Sequence, residues 1–362
     1  MNFLMTRHVK QKEGKGLRRE HFVCIVIALF VGVLFSFIGV PAGFLIGGLV
    51  VGISYGLFLR PLSFSGMPFR FALGYVGVNV GFMMEPELFR LLLHYFLPLL
   101  ISLTITLLAG VGIGWLLYRW TDLDPLTAYF STVPGGASEV IAFSGEYGAD
   151  NRIVAAFHTA RITLFVMLVP FLASVFYPGD MTKVQGEPLF ESISIGTLIG
   201  FFVAILLAII LFSLWKLPAG TLFYGVFAGF VMSEWILTNA PSIPTYIAGI
   251  GQALIGVMVG VRFDRSTFLK LKEIGVVSAL LLAVYFLFSL VNAAIFHWLT
   301  DLPYMTSLLS TAPAGAAEMS STAMALHLEP TLVSSLHIIR VIALFLFLPI
   351  VIHLLRRFSA PK

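Results

Sequence analysis

Twelve apolar runs separated by short polar segments constrain this chain more than any other feature of its sequence. Most are close to the roughly 20 apolar residues that a helix needs to cross a bilayer, and none has the alternating pattern of a transmembrane β-strand. With only 11% charged residues, the chain cannot cover a soluble globule of its size. We therefore predict an all-α polytopic membrane protein. The runs lie near 21–38, 41–59, 70–84, 91–118, 126–144, 153–177, 192–215, 218–237, 244–261, 275–298, 304–326 and 332–354.

An internal duplication relates the two halves of the chain. TDLDPLTAYFSTVPGGASEV (121–140) matches TDLPYMTSLLSTAPAGAAEM (300–319) without a gap, at an offset of 179 residues. Such self-similarity indicates two copies of one structural unit. The sequence then divides into a basic tail at 1–20, repeat 1 at 21–177, a polar linker at 178–191, repeat 2 at 192–355 and a short tail at 356–362.

The distribution of positive charge predicts how the twelve runs are arranged. If all of them cross the membrane and the basic tail is cytoplasmic, 13 of the 20 Lys and Arg residues that lie outside helix interiors are cytoplasmic. If 126–144 and 304–326 enter and return on one side, 18 are cytoplasmic. Cytoplasmic loops carry an excess of Lys and Arg. The sequence thus predicts two inverted repeats of five transmembrane helices, each with one re-entrant hairpin, and both termini cytoplasmic.

Each predicted hairpin has a break at its centre, PGG at 134–136 and PAG at 313–315. Proline interrupts a helix, and glycine permits a tight reversal. Irregular backbone at membrane depth survives only inside protein or beside a water-filled cavity. Two alternatives remain open: a kinked helix that spans the membrane, or a broken helix that crosses while another run, such as 70–84, does not.

Two arginines are expected near the middle of the bilayer. Arg161 follows Arg152 by nine residues, which is about 13 Å along a helix, and Arg340 repeats Arg161 in the second half. An arginine at that depth costs at least about 2.5–3.5 kcal/mol on insertion scales, so it requires partners. Glu139 and Glu318, just after the two breaks, are the expected carboxylate partners.

These residues predict a central site for an anionic or zwitterionic solute. His158 and His337 precede the arginines by three residues, on the same helical face, where they could carry protons or form core hydrogen bonds. In the alternative reading, the Glu–Arg pairs only fix each hairpin to the following helix. The predicted substrate-binding set is Ser131, Thr132, Gly135, Gly136, Ser138, Glu139, His158, Arg161, Ser310, Thr311, Gly315, Glu318, His337 and Arg340, with Ser320 as a further hydroxyl.

Several other kinds of site have no support in the sequence. The single Cys24 excludes an intrachain disulfide or a cysteine-based metal centre, and the other histidines are scattered. No phosphate-binding loop, HExxH or nucleic-acid-binding module is present. We therefore expect no enzymatic activity, no catalytic residue, no metal and no cofactor, with Na⁺ or H⁺ as the coupling ion. Glycines such as Gly48, Gly52, Gly225 and Gly229 are expected to allow close helix packing.

Two segments carry a resemblance to a known family: STVPGGASE…GAD…AAFHTARI and STAPAGAAEM…SSLHIIRV. The chain resembles the AbrB-type duplicated membrane family over nearly its whole length. Members are labelled as transition-state regulators or as ammonia monooxygenases, and the family is similar to inverted-repeat secondary transporters. The resemblance implies a multi-pass protein of the bacterial inner membrane, with the lipid bilayer and a small solute as partners and a homodimer as a compatible assembly. A transporter is the expected function, and the alternatives are a membrane-embedded regulator that acts indirectly on gene expression and a membrane oxygenase.

Overall fold

The computed structural model describes residues 2–59, 62–135, 137–176, 193–217, 220–237 and 243–359, and within these ranges all regular structure is helical. The predicted linker at 178–191 and Gly136 lie outside the described residues. The helices are α1 (Asn2–Phe37), α2 (Gly43–Ser54), α3 (Met67–Phe82), α4 (Leu88–Trp120), α5 (Pro125–Thr132), α6 (Ala137–Glu146), α7 (Asn151–Phe176), α8 (Ile195–Leu214), α9 (Gly220–Val231), α10 (Thr245–Gly260), α11 (Arg265–Ile274), α12 (Val276–Thr300), α13 (Tyr304–Thr311), α14 (Ala316–Ala325) and α15 (Pro330–Ser359). Short π-helical turns, Tyr55–Leu59 and Met232–Ile236, extend α2 and α9.

Five of the described helices are long and apolar enough to cross a membrane: α4, α7, α8, α12 and the Arg19–Phe37 part of α1. Together, Tyr246–Gly260 of α10 and the helix α11 form a further candidate span, which is bent by 52° at the break between them. Large apolar side chains such as Phe30 on α1 and Leu206 on α8 are exposed, as expected for helices in contact with lipid. The structure is therefore that of a multi-pass helical membrane protein.

The duplication is reproduced in the two hairpins. The bounds of α13 and α14 are those of α5 and α6 shifted by 179 residues. The first pair begins at Pro125, where the side chain of Asp124 accepts a hydrogen bond from the Thr127 N–H at 2.9 Å. Asp124, which immediately precedes the helix, therefore caps its N-terminus.

Glycines bring α2 and α10 into close contact, as predicted. A Cβ atom at Gly48 would collide with the carbonyl oxygen of Ala253, and one at Gly52 would collide with that of Val257. The second contact lies four residues later than the first in both helices, so α2 and α10 run parallel. A larger side chain at either position would separate the two backbones.

The same packing recurs between α3 and α9. A Cβ atom at Gly77 would meet the carbonyl oxygen of Leu222, and one at Gly81 would meet that of Val226. These pairs also advance together, so α3 and α9 run parallel. Each repeat thus supplies one helix to each of two equivalent helix pairs, and the repeats interlock.

A second bundle contains the long helices α4, α7, α12 and α15, and in it α4 crosses α12. At the crossing the Asn292 amide donates to Ser102 Oγ at 2.9 Å and to Thr106 Oγ1 at 3.1 Å. The short helix α5 packs against α4 and α7, and α13 packs against α12 and α15. This bundle therefore holds both Pro-Gly breaks and the helices that carry the two buried arginines.

Candidate functional site

The first hairpin, α5 with α6, begins and ends at the same place. Thr127 Oγ1, in the first turn of α5, accepts a hydrogen bond from the N–H of Asp150 at 2.8 Å. One helical turn further in, the rings of Phe130 and Tyr147 lie 6.2 Å apart. The chain therefore enters along α5, reverses at the break and returns along α6.

The helix that follows this hairpin holds the end of α5 through a histidine and an arginine. His158 Nε2 is 3.0 Å from the carbonyl oxygen of Phe130, and its Nδ1 is 3.1 Å from Nη2 of Arg161. Arg161 Nη1 also points to the carbonyl of Thr132 at 3.4 Å. Because a guanidinium can only donate, Nδ1 must accept, and we assign a neutral histidine with its hydrogen on Nε2.

The second repeat makes the equivalent contacts with one more hydrogen bond. His337 Nε2 is 2.6 Å from the carbonyl of Leu309, and Arg340 Nη2 is 2.9 Å from His337 Nδ1. Arg340 Nη2 also donates to the carbonyl of Ala314 at 2.9 Å, and its Nη1 donates to that of Ala312. Both histidines thus have two satisfied nitrogens as neutral rings, which favours core hydrogen bonding over a proton-carrying role.

Tyr285 on α12 lies between the two arginine units, and our sequence interpretation missed it. The Arg161 guanidinium lies 5.3 Å from the centre of its ring. Its hydroxyl interacts electrostatically with Arg161 and Arg340, and the two arginine charges also act on each other. No signal in the sequence marks Tyr285, because repeat 1 has Thr106 at the equivalent position.

Most hydroxyls of the predicted set bond within the hairpins. Ser131 donates to the carbonyl of Thr127, Thr311 to that of Ser307, and Ser320 to that of Ala316. Thr132 instead donates to the carbonyl of Gly110 on α4, at 2.8 Å. Some buried polar side chains have an atom without a hydrogen-bond partner, among them Ser310, Ser321, Thr306 and, on α3, Asn79.

The expected ion pair between Glu318 and Arg340 is not formed. The Glu318 carboxylate folds back toward Gly315 at the start of α14, where the charge that acts on it is that of Arg262. Arg340 is instead satisfied by hairpin carbonyls and His337, which already occupy three of its N–H groups. The expectation was wrong because it assumed that a buried arginine needs a carboxylate, whereas the broken backbone offers free carbonyls.

The remaining predicted residues lie at the tip of the first hairpin. Gly135 is half-buried, and a Cβ there would meet a methyl group of Val140. The side chains of Ser138 and Glu139 lie outside the described part of the structure. The described members of the set thus gather at two hairpin–helix contacts, one in each repeat.

Comparison with known proteins places the chain in a family. It is 27% identical to the "Uncharacterized protein YhjN" of Bacillus subtilis (strain 168), an alignment that covers 93% of this chain and 94% of that protein. It is 25% identical to the "Putative regulator AbrB" of Escherichia coli (strain K12), over 93% and 96% of the two chains. The family model described as "Transition state regulatory protein AbrB" matches residues 44–356. Because this match covers most of the chain and both repeats, the chain belongs to the AbrB family.

Proposed function

We propose that this protein is a secondary transporter that moves a small anionic or zwitterionic solute by alternating access, with Na⁺ or H⁺ coupling. The observation that carries the proposal is the pair of buried arginines, Arg161 and Arg340, each held at the broken tip of a hairpin and close enough for their charges to interact. Ionisable groups inside a membrane protein are costly and typically mark a solute or ion pathway. Hairpin breaks at membrane depth are typical of transporter binding sites.

An inverted arrangement of the repeats is part of this proposal, and helix directions support it. Arg262, at the end of α10, stacks on Phe69 at the start of α3, whereas Ile247 near the start of α10 accepts a hydrogen bond from Tyr75 further along α3. Helices α3 and α10 therefore run antiparallel. Since α2 is parallel to α10 and α9 is parallel to α3, α2 and its repeat counterpart α9 point in opposite directions.

The second hairpin is proposed to be re-entrant like the first. Leu302 precedes α13 and Leu332 follows α14, and both pack in one apolar cluster with Tyr95, near the start of α4. The chain therefore returns to the end at which it entered. With inverted repeats, the two hairpins would enter from opposite faces of the bilayer.

The packing of the hairpins supports alternating access. Helix α14 packs against the glycine-packed helices α2, α3 and α10, and its residues are mostly buried. The principal contacts of α6 are with α5 and α7, and its residues Ala142, Gly145 and Glu146 are exposed. Inverted repeats that occupy unlike environments are expected of a transporter in one of its two states, because the second state exchanges the two environments.

Transport can be tested by uptake into proteoliposomes. We expect gradient-dependent uptake of small carboxylates or amino acids, lost in Arg161→Ala and Arg340→Ala and retained in Arg152→Ala, which removes an exposed charge on the same helix as Arg161. The bacterial inner membrane, with both termini cytoplasmic, is the proposed location. Failure to transport any such solute under a Na⁺ or H⁺ gradient would contradict the proposal.

A membrane-embedded regulator is the second candidate, because the family description and the Escherichia coli relative carry that word. Such a protein would alter gene expression indirectly, through a partner or through solute levels. An expression phenotype that persists in the Arg161→Ala and Arg340→Ala variants would favour the regulator over the transporter.

A further inference from the structure

Arg161 and Arg340 form a buried cationic centre with unused hydrogen-bond donors. Their exposed fractions are 3% and 6%. A guanidinium has five N–H donors, of which Arg161 uses two and Arg340 uses three. The Nε of each is buried and has no hydrogen-bond partner.

No carboxylate among the side chains that the structure describes lies within ion-pair distance of either arginine. Their acceptors are backbone carbonyls and the Nδ1 atoms of His158 and His337, none of which carries a negative charge. Every described acceptor of the two guanidinium groups is therefore neutral. An anion on their free N–H groups would supply the negative charge that stabilises buried cations.

Tyr285 adds a hydrogen-bond donor beside the two arginines. Its side chain is 2% exposed, its ring centre lies 5.3 Å from the Arg161 guanidinium, and its hydroxyl interacts with both arginine charges. Each arginine is held separately by its own hairpin, so each can bind one carboxylate through its free N–H groups. Two carboxylates on one molecule, with Tyr285 between them, would satisfy both arginines.

We propose that Arg161, Arg340 and Tyr285 bind a small dicarboxylate, one carboxylate to each arginine, with the Tyr285 hydroxyl donating to one of them. This inference rests on the proposed transport function for its biological role, but the binding site can be tested without transport. A dicarboxylate matches the two charges, whereas a monocarboxylate or a zwitterion leaves one arginine uncompensated. The remaining donors suit several carboxylate oxygens better than one compact ion.

The test is binding to the full chain in lipid nanodiscs, measured by calorimetry, with malonate, succinate and glutarate as dicarboxylates. Butyrate supplies one charge, 4-aminobutyrate is a zwitterion, and sulfate is a compact dianion. We expect the best dicarboxylate to bind at least about tenfold more tightly than the other three compounds. Binding of no dicarboxylate, or preference for sulfate, butyrate or 4-aminobutyrate, would overturn the proposal.

Substitutions test the proposed contacts of Arg161 and Tyr285 with the dicarboxylate. Arg161→Gln should weaken dicarboxylate binding by about tenfold or more and remove the preference over butyrate, since one charge is lost. Tyr285→Phe keeps the ring under Arg161 and should weaken binding a few-fold, while the exposed-charge control Arg152→Gln should leave it unchanged. Because Tyr285→Phe and the ligand comparison do not depend on Arg161→Gln folding, an unfolded Arg161→Gln variant leaves the test intact. Unchanged dicarboxylate binding in a folded Arg161→Gln would refute the assignment.

Uptake measurements separate this inference from the transport function. Binding of a dicarboxylate without uptake under any gradient would keep the site and reject transport. Uptake of 4-aminobutyrate with no dicarboxylate binding would keep transport and reject the dicarboxylate site.

Discussion

The two hairpins descend from one duplicated sequence, yet they occupy different surroundings. Helix α14 of the second hairpin is buried against the glycine-packed helices, whereas α6 of the first packs mainly on its own hairpin and α7 and has exposed residues at Ala142, Gly145 and Glu146. Arg340 donates two hydrogen bonds to carbonyls at its hairpin break, and Arg161 donates one long one, at 3.4 Å. Equivalent residues therefore carry unequal shares of the packing in this state of the molecule.

The duplication has therefore preserved local contacts but not their environment. The His–Arg unit recurs in both repeats, and the hairpin helices have the same bounds after the offset of 179. The difference is that only the second hairpin packs extensively against α2, α3 and α10. Which hairpin does so depends on the arrangement of the whole molecule. If the protein alternates between two states, the tight and loose surroundings should exchange.

The largest expected effect comes from removing each arginine in turn. Arg340→Gln leaves the carbonyls of Ala312 and Ala314 without their donor, and we expect it to lower the free energy of unfolding by roughly 3 kcal/mol. Arg161→Gln removes fewer and longer contacts and should cost roughly 1–2 kcal/mol. Denaturant titration of purified protein in mixed micelles measures both. Equal losses would remove the asymmetry that we assign to the hairpins.

Cysteine accessibility tests the exposure of α6 against α14. In a Cys24→Ala background, Ala142→Cys on α6 and its counterpart Ser321→Cys on α14 differ in burial, since Ala142 is exposed and Ser321 is fully buried. We expect a small thiosulfonate reagent to modify Ala142→Cys at least about tenfold faster, because modification of the buried site requires local opening. Ligand-dependent reversal of this ratio would support exchange between two states. Similar rates in all conditions would indicate that the hairpins are equivalent.

A threonine pair at the base of the hairpins gives a matched test of stability. Thr127 accepts the N–H of Asp150, but the hydroxyl of its counterpart Thr306 is buried without a partner. Thr127→Val should therefore cost about 1 kcal/mol, and Thr306→Val should be neutral or slightly stabilising. Thermal unfolding of both variants in detergent checks the sign. A larger loss for Thr306→Val would show that its hydroxyl has a partner after all.

The smallest expected effect concerns the tips. A Cβ at Gly315 would displace the Glu318 carboxylate from the first turn of α14, where it interacts favourably with the helix dipole. Gly315→Ala should thus cost about 0.5–1 kcal/mol. A Cβ at Gly135 would instead meet the end of the Val140 side chain, and we expect Gly135→Ala to cost less. If Gly315→Ala were the less damaging of the two in the same unfolding assay, the role given to Glu318 would be wrong.

The sequence was sufficient for the parts of the fold that depend on local chemistry. Apolar run length predicted the long helices, and the Pro-Gly breaks predicted where α5 and α13 end. The glycines on α2 and α9 predicted close packing, because their spacing places them on one helical face.

The partners of the arginines could not be predicted in the same way. Every residue has a backbone carbonyl, so a sequence does not show which carbonyls are free to accept a hydrogen bond. At the broken tips the carbonyl of Thr132 is free to accept from Arg161, and that of Ala312 is free to accept from Arg340. Tyr285 was missed for a related reason. It lies on α12, which the repeat aligns with α4, and an unduplicated tyrosine in an apolar helix carries no signal.

Labelling of equivalent residues tests whether the two repeats lie in the membrane with opposite orientations. Arg152 and Thr331 are related by the offset of 179 and lie in the first turn of the helix after each hairpin. In a Cys24→Ala background, an impermeant thiol reagent applied to intact cells should modify Thr331→Cys and leave Arg152→Cys unmodified until the cells are opened. Modification of both from the same side would contradict the inverted arrangement and, with it, the proposed site between opposed hairpins.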